Sequence, residues 1–540
     1  MTLTRLLKTT SAGVMTAALA ATIATAQDSG AEMAGDQTFS YRLLDQFPTL
    51  DPQLIEETAG GHVARQLFEG LLTQDAQGEL REGVATEWSS DDNQTWTFTL
   101  REDARWSNGD PVTAGDFVYA WQRAADPATA SEYAWYVELS QIQNAAEIIA
   151  GDMEPSELGV RAVDDRTLEV SLTRPLPYFP QMVVHYTFMP THQPTIEEFG
   201  SDWTSPENIV SNGAYTLEEI AVNEFFRLEK NPEYWGADDV AITEVTGYVI
   251  NDGNQALSRF QAGEFDMMDD LPPGAYPRLE AESPDTTHST PRLCSYYYTL
   301  NQSESGHEAL QDPNVRRALS LAVNRDVIVD QILQGGQAPA YSFTHWATAG
   351  FELPEIEYAS MSQDERMEEA MQLMTDAGYG PDNPIEFNLI YNNSDTHQQV
   401  ATVISQMWRP LGVTTTLNNY EWQSYLEIRG NQNFDVARSA WCGDYNEAST
   451  FLDLLTTRNS NNDGKYSNEE VDRLMTESVD LADPQPNYTA VEQILAEDMA
   501  IIPIYHYTQN FVLNEEIQGW PMENVENNWY VRDLTRTASE

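Results

Sequence analysis

The sequence predicts a mixed α/β protein that is folded along almost its whole length. Stretches with a two-residue apolar period alternate with stretches of helical period. Strands and helices interleaved in this way build common lobes rather than separate all-α and all-β parts. Aromatics and turn residues are spread along the chain. There is no fixed-period repeat and no long low-complexity segment after the N-terminus.

In chain order, the first clear unit is a strand in which Trp96, Phe98 and Leu100 alternate with Thr95, Thr97, Thr99 and Arg101. Asn108-Gly109 makes a turn. Thr113 and Asp116 form a capping box for a helix with Phe117, Val118 and Trp121 on its inner face. A strand pair turns at Asp164-Asp165 and puts Leu168, Val170 and Leu172 on one face. Ser362 and Glu365 cap a later helix with Met367, Ala370, Met371 and Met374 inward, and Gly378 stops it. That methionine face reads as core rather than as a ligand surface. Residues 385–391 alternate as a strand. Ser467 and Glu470 open a helix with Val471, Leu474 and Met475 inward. Val491, Ile494 and Leu495 mark another, and residues 501–505 form a buried strand.

The first 26 residues read as a cleaved secretory signal. Arg5 and Lys8 precede an alanine-rich apolar run, and Ala24-Thr25-Ala26 supplies the small-x-small cleavage pattern. No later stretch approaches the ~20 apolar residues that span a bilayer. No cysteine precedes Cys294, so the expectation is a free periplasmic protein without a lipid anchor. The 514 residues after the signal suffice for about three domains. Cys294 and Cys442 are the only cysteines. In an oxidising compartment they form one disulfide, with two buried free thiols as the alternative.

The formal net charge is −58, and −60 once the two cations of the signal are removed. Lysine occurs only at positions 8, 230 and 465. So negative a surface repels nucleic acid and anionic membranes. It fits adaptation to high salt, where the Debye length falls to ~3 Å at 1 M and self-repulsion is suppressed. Enzyme signatures are missing: there is no G-x-S-x-G elbow, no phosphate-binding loop and no dinucleotide fingerprint. His307-Glu308 begins like a zinc helix, but Gln311 stands where the second histidine belongs. The eight histidines show no metal-ligand spacing.

Two blocks carry a resemblance. The first spans Val84–Arg123 and holds Ala85-Thr86-Glu87-Trp88, Trp106-Ser107-Asn108-Gly109 and Asp116-Phe117-Val118-Tyr119-Ala120-Trp121. It resembles the large solute-binding proteins (family 5) that serve peptide and nickel ABC importers. The second runs from Phe434 through Arg438-Ser439-Ala440-Trp441-Cys442-Gly443-Asp444 to Glu447. With Cys294-Ser295-Tyr296-Tyr297-Tyr298 it resembles the oligopeptide-binding members of that family, and the likeness covers essentially the whole mature chain. It implies an α/β, two-lobed hinged periplasmic binding protein fold of the cluster C type with an extra third domain. Lobe I comprises 27–68, 193–293 and 512–540, the extra domain 69–192 and the opposing lobe 294–511. Closure of the lobes traps the ligand.

The resemblance also implies a function and a site. The chain captures short peptides, from di- to pentapeptides, and hands them to membrane permease subunits. It acts as a monomer, without catalytic residues, cofactor or metal. Asp444 matches the aspartate that pairs with the ligand's α-ammonium. Arg438 matches a basic residue at the carboxylate end, where its planar fork suits a carboxylate, with a structural salt bridge as the alternative. His397 matches another candidate partner of the carboxylate, and Arg429 matches an arginine near the site. Trp422 and Trp441 match flat pocket walls, and Tyr119, Tyr297 and Tyr507 match cleft tyrosines. Glu56 and Thr58 lie in a stretch resembling the strand that pairs with the peptide backbone. Three departures bear on ligand length: Ala440 replaces a glycine, Glu57 replaces a glycine, and Leu333 replaces a lysine. A dedicated murein-peptide receptor remains the alternative, since that ligand also carries a free ammonium. An exported hydrolase on this scaffold is the reading from another class, and no positioned nucleophile and base supports it.

Overall fold

The computed structural model describes residues 33–538 except 45, 270, 273, 460, 480 and 482, and excludes the side chains of residues 395, 422 and 423. The expected signal segment lies outside the described residues. Among the described residues, no helix is long and apolar enough to cross a membrane.

The local patterns explain most elements. Residues Thr95–Leu100 form a strand with Trp96, Phe98 and Leu100 buried. It sits in a four-stranded antiparallel sheet with Ala85–Ser89, Val160–Asp164 and Thr167–Ser171. The helix Ala114–Ala125 packs beside this sheet, and its entry is fixed by the Thr113 N–H donating to the Asp116 carboxylate at 2.7 Å. Gly109 has φ of 89°, the left-handed conformation its turn demands. The helix Gln363–Asp376 carries the expected Ser362–Glu365 box. Its methionine face is narrower than expected: Ala370 and Met374 are buried, Met367 is half-buried, and Met371 is 44 % exposed. The helix Glu469–Ser478 is capped by Asn468, not Ser467; the Asn468 carbonyl accepts from the Glu470 N–H at 2.9 Å. Asn is as good a cap as Ser, so the sequence allowed either start.

The frame that positions the site is one large mixed sheet. One half contains Thr38–Leu43, parallel to Glu244–Val249, followed by Phe225–Lys230 and Tyr215–Ala221. The other half contains Val436–Cys442, Ile385–Asn392 and Val413–Tyr420, the last two parallel over eight residue pairs. Two long antiparallel strands, Thr287–Leu300 and Ile501–Leu513, run through both halves. Their pairing breaks between Pro291 and Ser295. Among the described residues, a broken ladder in the two strands shared by both halves is where bending costs least. Separate apolar cores fill the two halves. One is built around Phe39, Tyr41 and Trp529 and is continuous with the small sheet; another surrounds Tyr298, Leu389 and Trp408.

Candidate functional site

The site lies along the strand Val436–Cys442 and the turn that follows it. The strand pairs with Thr287–Leu300 over its full length, from Leu300↔Val436 to Cys294↔Cys442. The last pair is a disulfide. On the other edge, Ile385–Asn392 reaches only Val436 and Ala437. Among the described residues, 438–442 therefore have no strand partner on that edge, a template for an added strand, although the Arg438 carbonyl already accepts from the Tyr425 hydroxyl. Strand alternation puts residues 438, 440 and 442 on one face, with Ala440 opposite Tyr296.

At the start of this edge, Arg438 is 8 % exposed. Its Nη2 donates to the Tyr507 hydroxyl at 2.9 Å and its Nη1 to the Asn392 Oδ1 at 3.3 Å. The guanidinium lies 4.9 Å from the centre of the Tyr296 ring. Its Nε has no hydrogen-bond partner, and no carboxylate forms an ion pair with it among the described residues. The structural salt bridge considered above is thus absent there. His397, in the first turn of the helix Asp395–Trp408, lies 5.6 Å from the same Tyr296 ring, and its Nδ1 is buried without a partner. Burial and then the Arg438 charge push the imidazole down to about 3, so it is neutral at ordinary pH.

Past the other end, the Asp444 N–H donates to the Thr450 hydroxyl at 3.1 Å, and the Tyr136 hydroxyl donates to the Asp444 carbonyl at 3.5 Å. The carboxylate Oδ2 is buried and accepts no hydrogen bond. Burial, and then the charge of Glu526, push this carboxyl up to about 7. It opens on a cavity of about 170 Å³ also lined by Arg65, Tyr133, Tyr186 and Glu526. The wall is aromatic: Tyr133 stacks on His185 at 4.8 Å, and Trp135 meets Trp441 at 6.3 Å.

The remaining expected residues divide. Tyr507 touches Arg438 directly. Arg429 sits one layer back, ion-paired with Asp463 at 2.6 Å. Tyr297 is buried edge-on against Phe343 at 4.9 Å. Trp422 opens the helix Trp422–Gly430, and its side chain lies outside the described residues. Tyr119 does not line the Asp444 cavity; its charged neighbours are Arg123, Glu197 and Asp51. Glu56 and Thr58 are not in a strand. Glu57 caps the helix Thr58–Leu67, accepting from the Gly60 N–H at 2.7 Å, and Thr58 lines the cavity from the first helical residue. Glu57 stands immediately before the helix, and its carboxylate satisfies one of the unpaired N–H groups of the first turn, which the strand likeness did not foresee. Leu333 ends a helical turn and packs on the core of its half. Sequence reasoning missed Arg65, Tyr133, Tyr136, Tyr186 and Glu526. The dense aromatics of residues 133–136 were the one local signal.

Two halves joined by a pair of strands that run through both, with a partly unpaired strand edge flanked by a buried guanidinium and a half-buried carboxyl, define a two-lobed binding protein. The family model of bacterial extracellular solute-binding proteins, family 5 (middle region), matches residues 79–463, and the chain belongs to that family. It is similar to the periplasmic oligopeptide-binding protein OppA of Salmonella typhimurium, 41 % identical over 530 residues and 97 % of each chain. It is also similar to the periplasmic murein peptide-binding protein MppA of Escherichia coli, 40 % identical over 511 residues and 94 % of each chain. The solved Haemophilus influenzae OppA in complex with RPPGFSPFR superposes with a TM-score of 0.81 at 36 % identity, covering 94 % of this chain and 100 % of that one. These relatives are binding proteins, and the chain is a binding protein rather than an enzyme.

Proposed function

We propose that the chain captures short oligopeptides by their termini and backbone outside the cytoplasm and delivers them to the permease of an ABC importer. One observation carries this reading. Among the described residues, a strand edge at 438–442 without a strand partner lies between a cation and an anion that form no ion pair. A zwitterionic peptide supplies the missing carboxylate, the missing ammonium and the missing strand. Asp444 takes the ammonium; Arg438, flanked by neutral His397, takes the carboxylate; Trp441 offers a side-chain wall. Arg438 and Asp444 are six residues apart. At ~3.3 Å per extended residue the anchors stand at most about 20 Å apart, which favours peptides up to about five residues. OppA as a relative supports the peptide class. MppA, at nearly equal identity, favours murein peptide as the second reading.

The lobe boundaries given above, a cleaved signal, the lack of a lipid anchor and a monomeric state belong to the same reading. So does salt adaptation, supported by a net charge of −58. The melting temperature is expected to rise between low salt and molar NaCl, and a flat or falling trend refutes it. The functional test is mass spectrometry of small molecules released when the purified protein is denatured. A ladder of unrelated short peptides supports general peptide capture. One dominant muropeptide mass supports the second reading, and release of no peptide of either kind, with none bound on addition, overturns both.

A further inference from the structure

The turn after the strand Val436–Cys442 sends one ring across to the other half. Tyr445 directly follows Asp444 and is fully buried. It joins the core built around Phe39, Tyr41 and Trp529 together with the small sheet, rather than a core of its own half. There Tyr178, which follows the small-sheet strand Thr167–Ser171, stacks on it with ring centres 5.2 Å apart and planes 10° apart. Two further contacts cross the same junction from the helix Ala134–Leu139: Trp135 meets Trp441, and the Tyr136 hydroxyl donates to the Asp444 carbonyl. Burial pushes the Asp453 carboxyl up to about 6, against the pull of Arg174, on the small-sheet side, and of Arg458.

The turn holds its shape without this contact. The Tyr445 and Ser449 hydroxyls are 3.0 Å apart, the Thr450 hydroxyl holds the Asp444 N–H, and the Asn446 Oδ1 accepts from the Ala349 N–H at 2.8 Å. Tyr178 does not line the Asp444 cavity, so it acts through Tyr445 and not on the ligand. Opening the cleft draws the Tyr445 ring out of the facing core into water, and both apolar burial and an aromatic pair are lost. The contacts of Arg438 are of another kind: Tyr507, Asn392 and Tyr296 come from its own half or from the shared strands.

We propose that Tyr178 is a positioning residue, a clasp that holds the small-sheet unit against the turn carrying Asp444 and so sets how slowly a bound peptide leaves. This rests on the peptide reading above. A peptide enters while the cleft is open, before the clasp forms, and leaves only after the clasp has broken. The clasp therefore governs dissociation and leaves association nearly unchanged.

The test follows association and dissociation of tritium-labelled trialanine by rapid filtration, beside thermal melting. Tyr178→Ala is expected to release the peptide about 10-fold faster, with an association rate within about 2-fold of the wild type. Tyr178→Phe keeps the stack and is expected to restore slow release. An unchanged dissociation rate in a folded Tyr178→Ala overturns the inference, as does equally fast release in Tyr178→Phe or a loss carried by association. Should the alanine variant not fold, Tyr178→Leu keeps apolar volume without the stack and is read in the same way. Failure of the wild type to bind trialanine or any other tested short peptide overturns the peptide reading itself and this inference with it.

Discussion

Arg438 and Asp444 share one strand and its turn, and neither has an ionic partner among the described residues, yet they are held differently. Arg438 is met by a tyrosine hydroxyl, an asparagine amide and the face of Tyr296. A guanidinium keeps its charge in any such setting. Asp444 has a carboxylate oxygen that accepts nothing, and a second acid nearby, and its proton is held until about pH 7. The cationic end is thus charged in advance, while the anionic end becomes fully charged when a cation arrives. The difference teaches where binding is coupled to protons: at the amino end of the ligand.

That contrast can be broken or sharpened in four ways, from the largest effect to the smallest. The amino end is pinned covalently. Replacing Cys294 and Cys442 by serine removes a link across 148 residues of sequence. The expected loss of unfolding free energy is about 4–5 kcal/mol in the chain-entropy model, read by denaturant titration. A change below about 1 kcal/mol contradicts that pinning. Next, Asp444→Asn is expected to weaken peptide binding about 10-fold or more while leaving the melting temperature equal or higher, since a costly buried charge is gone. Calorimetry and thermal melting read both, and unchanged affinity removes Asp444 as the anchor.

Arg438→Met is expected to reduce affinity for a free-acid peptide several-fold, about 5- to 10-fold, and for the C-terminal amide much less. Equal losses on acid and amide place the guanidinium in packing rather than in ligand contact. The smallest effects are pH slopes in the empty protein. The Asp444 carboxyl rises from 3.8 to about 7, so the folded state binds more protons than the unfolded between these values. Its contribution to stability therefore falls as pH rises through that window. His397 drops from 6.5 to about 3, so the unfolded state binds more protons and stability rises with pH over that range. Melting curves of Asp444→Asn and His397→Gln minus wild type should show opposite slopes between pH 4 and 6.5. Slopes of the same sign contradict the assigned environments.

Much of this was legible in the sequence because it is local. Alternation placed Trp96, Phe98 and Leu100, and a capping box placed the helix after Thr113. The resemblance picked out Asp444, Arg438, His397 and Tyr507, which the fold brings to the two ends of one edge. What stayed illegible depends on contacts distant in sequence. Glu526 meets Gln74 across 452 residues, and no spacing rule encodes that. Met371 follows the helical period, yet its face turns past the core into solvent. Glu56 and Thr58 were expected in a strand from the resemblance alone, and the Gly60 N–H bound by Glu57 makes the stretch a helix cap instead.

The central claim is that the cleft reads a peptide's free ends. Calorimetry of one tripeptide against its N-acetylated form tests it most directly. Binding of the free amine at least about 10-fold tighter, with protons released near pH 7 as Asp444 ionises, is the predicted result. Equal affinities without proton release would contradict the account, because the buried carboxylate would then have no part in recognition.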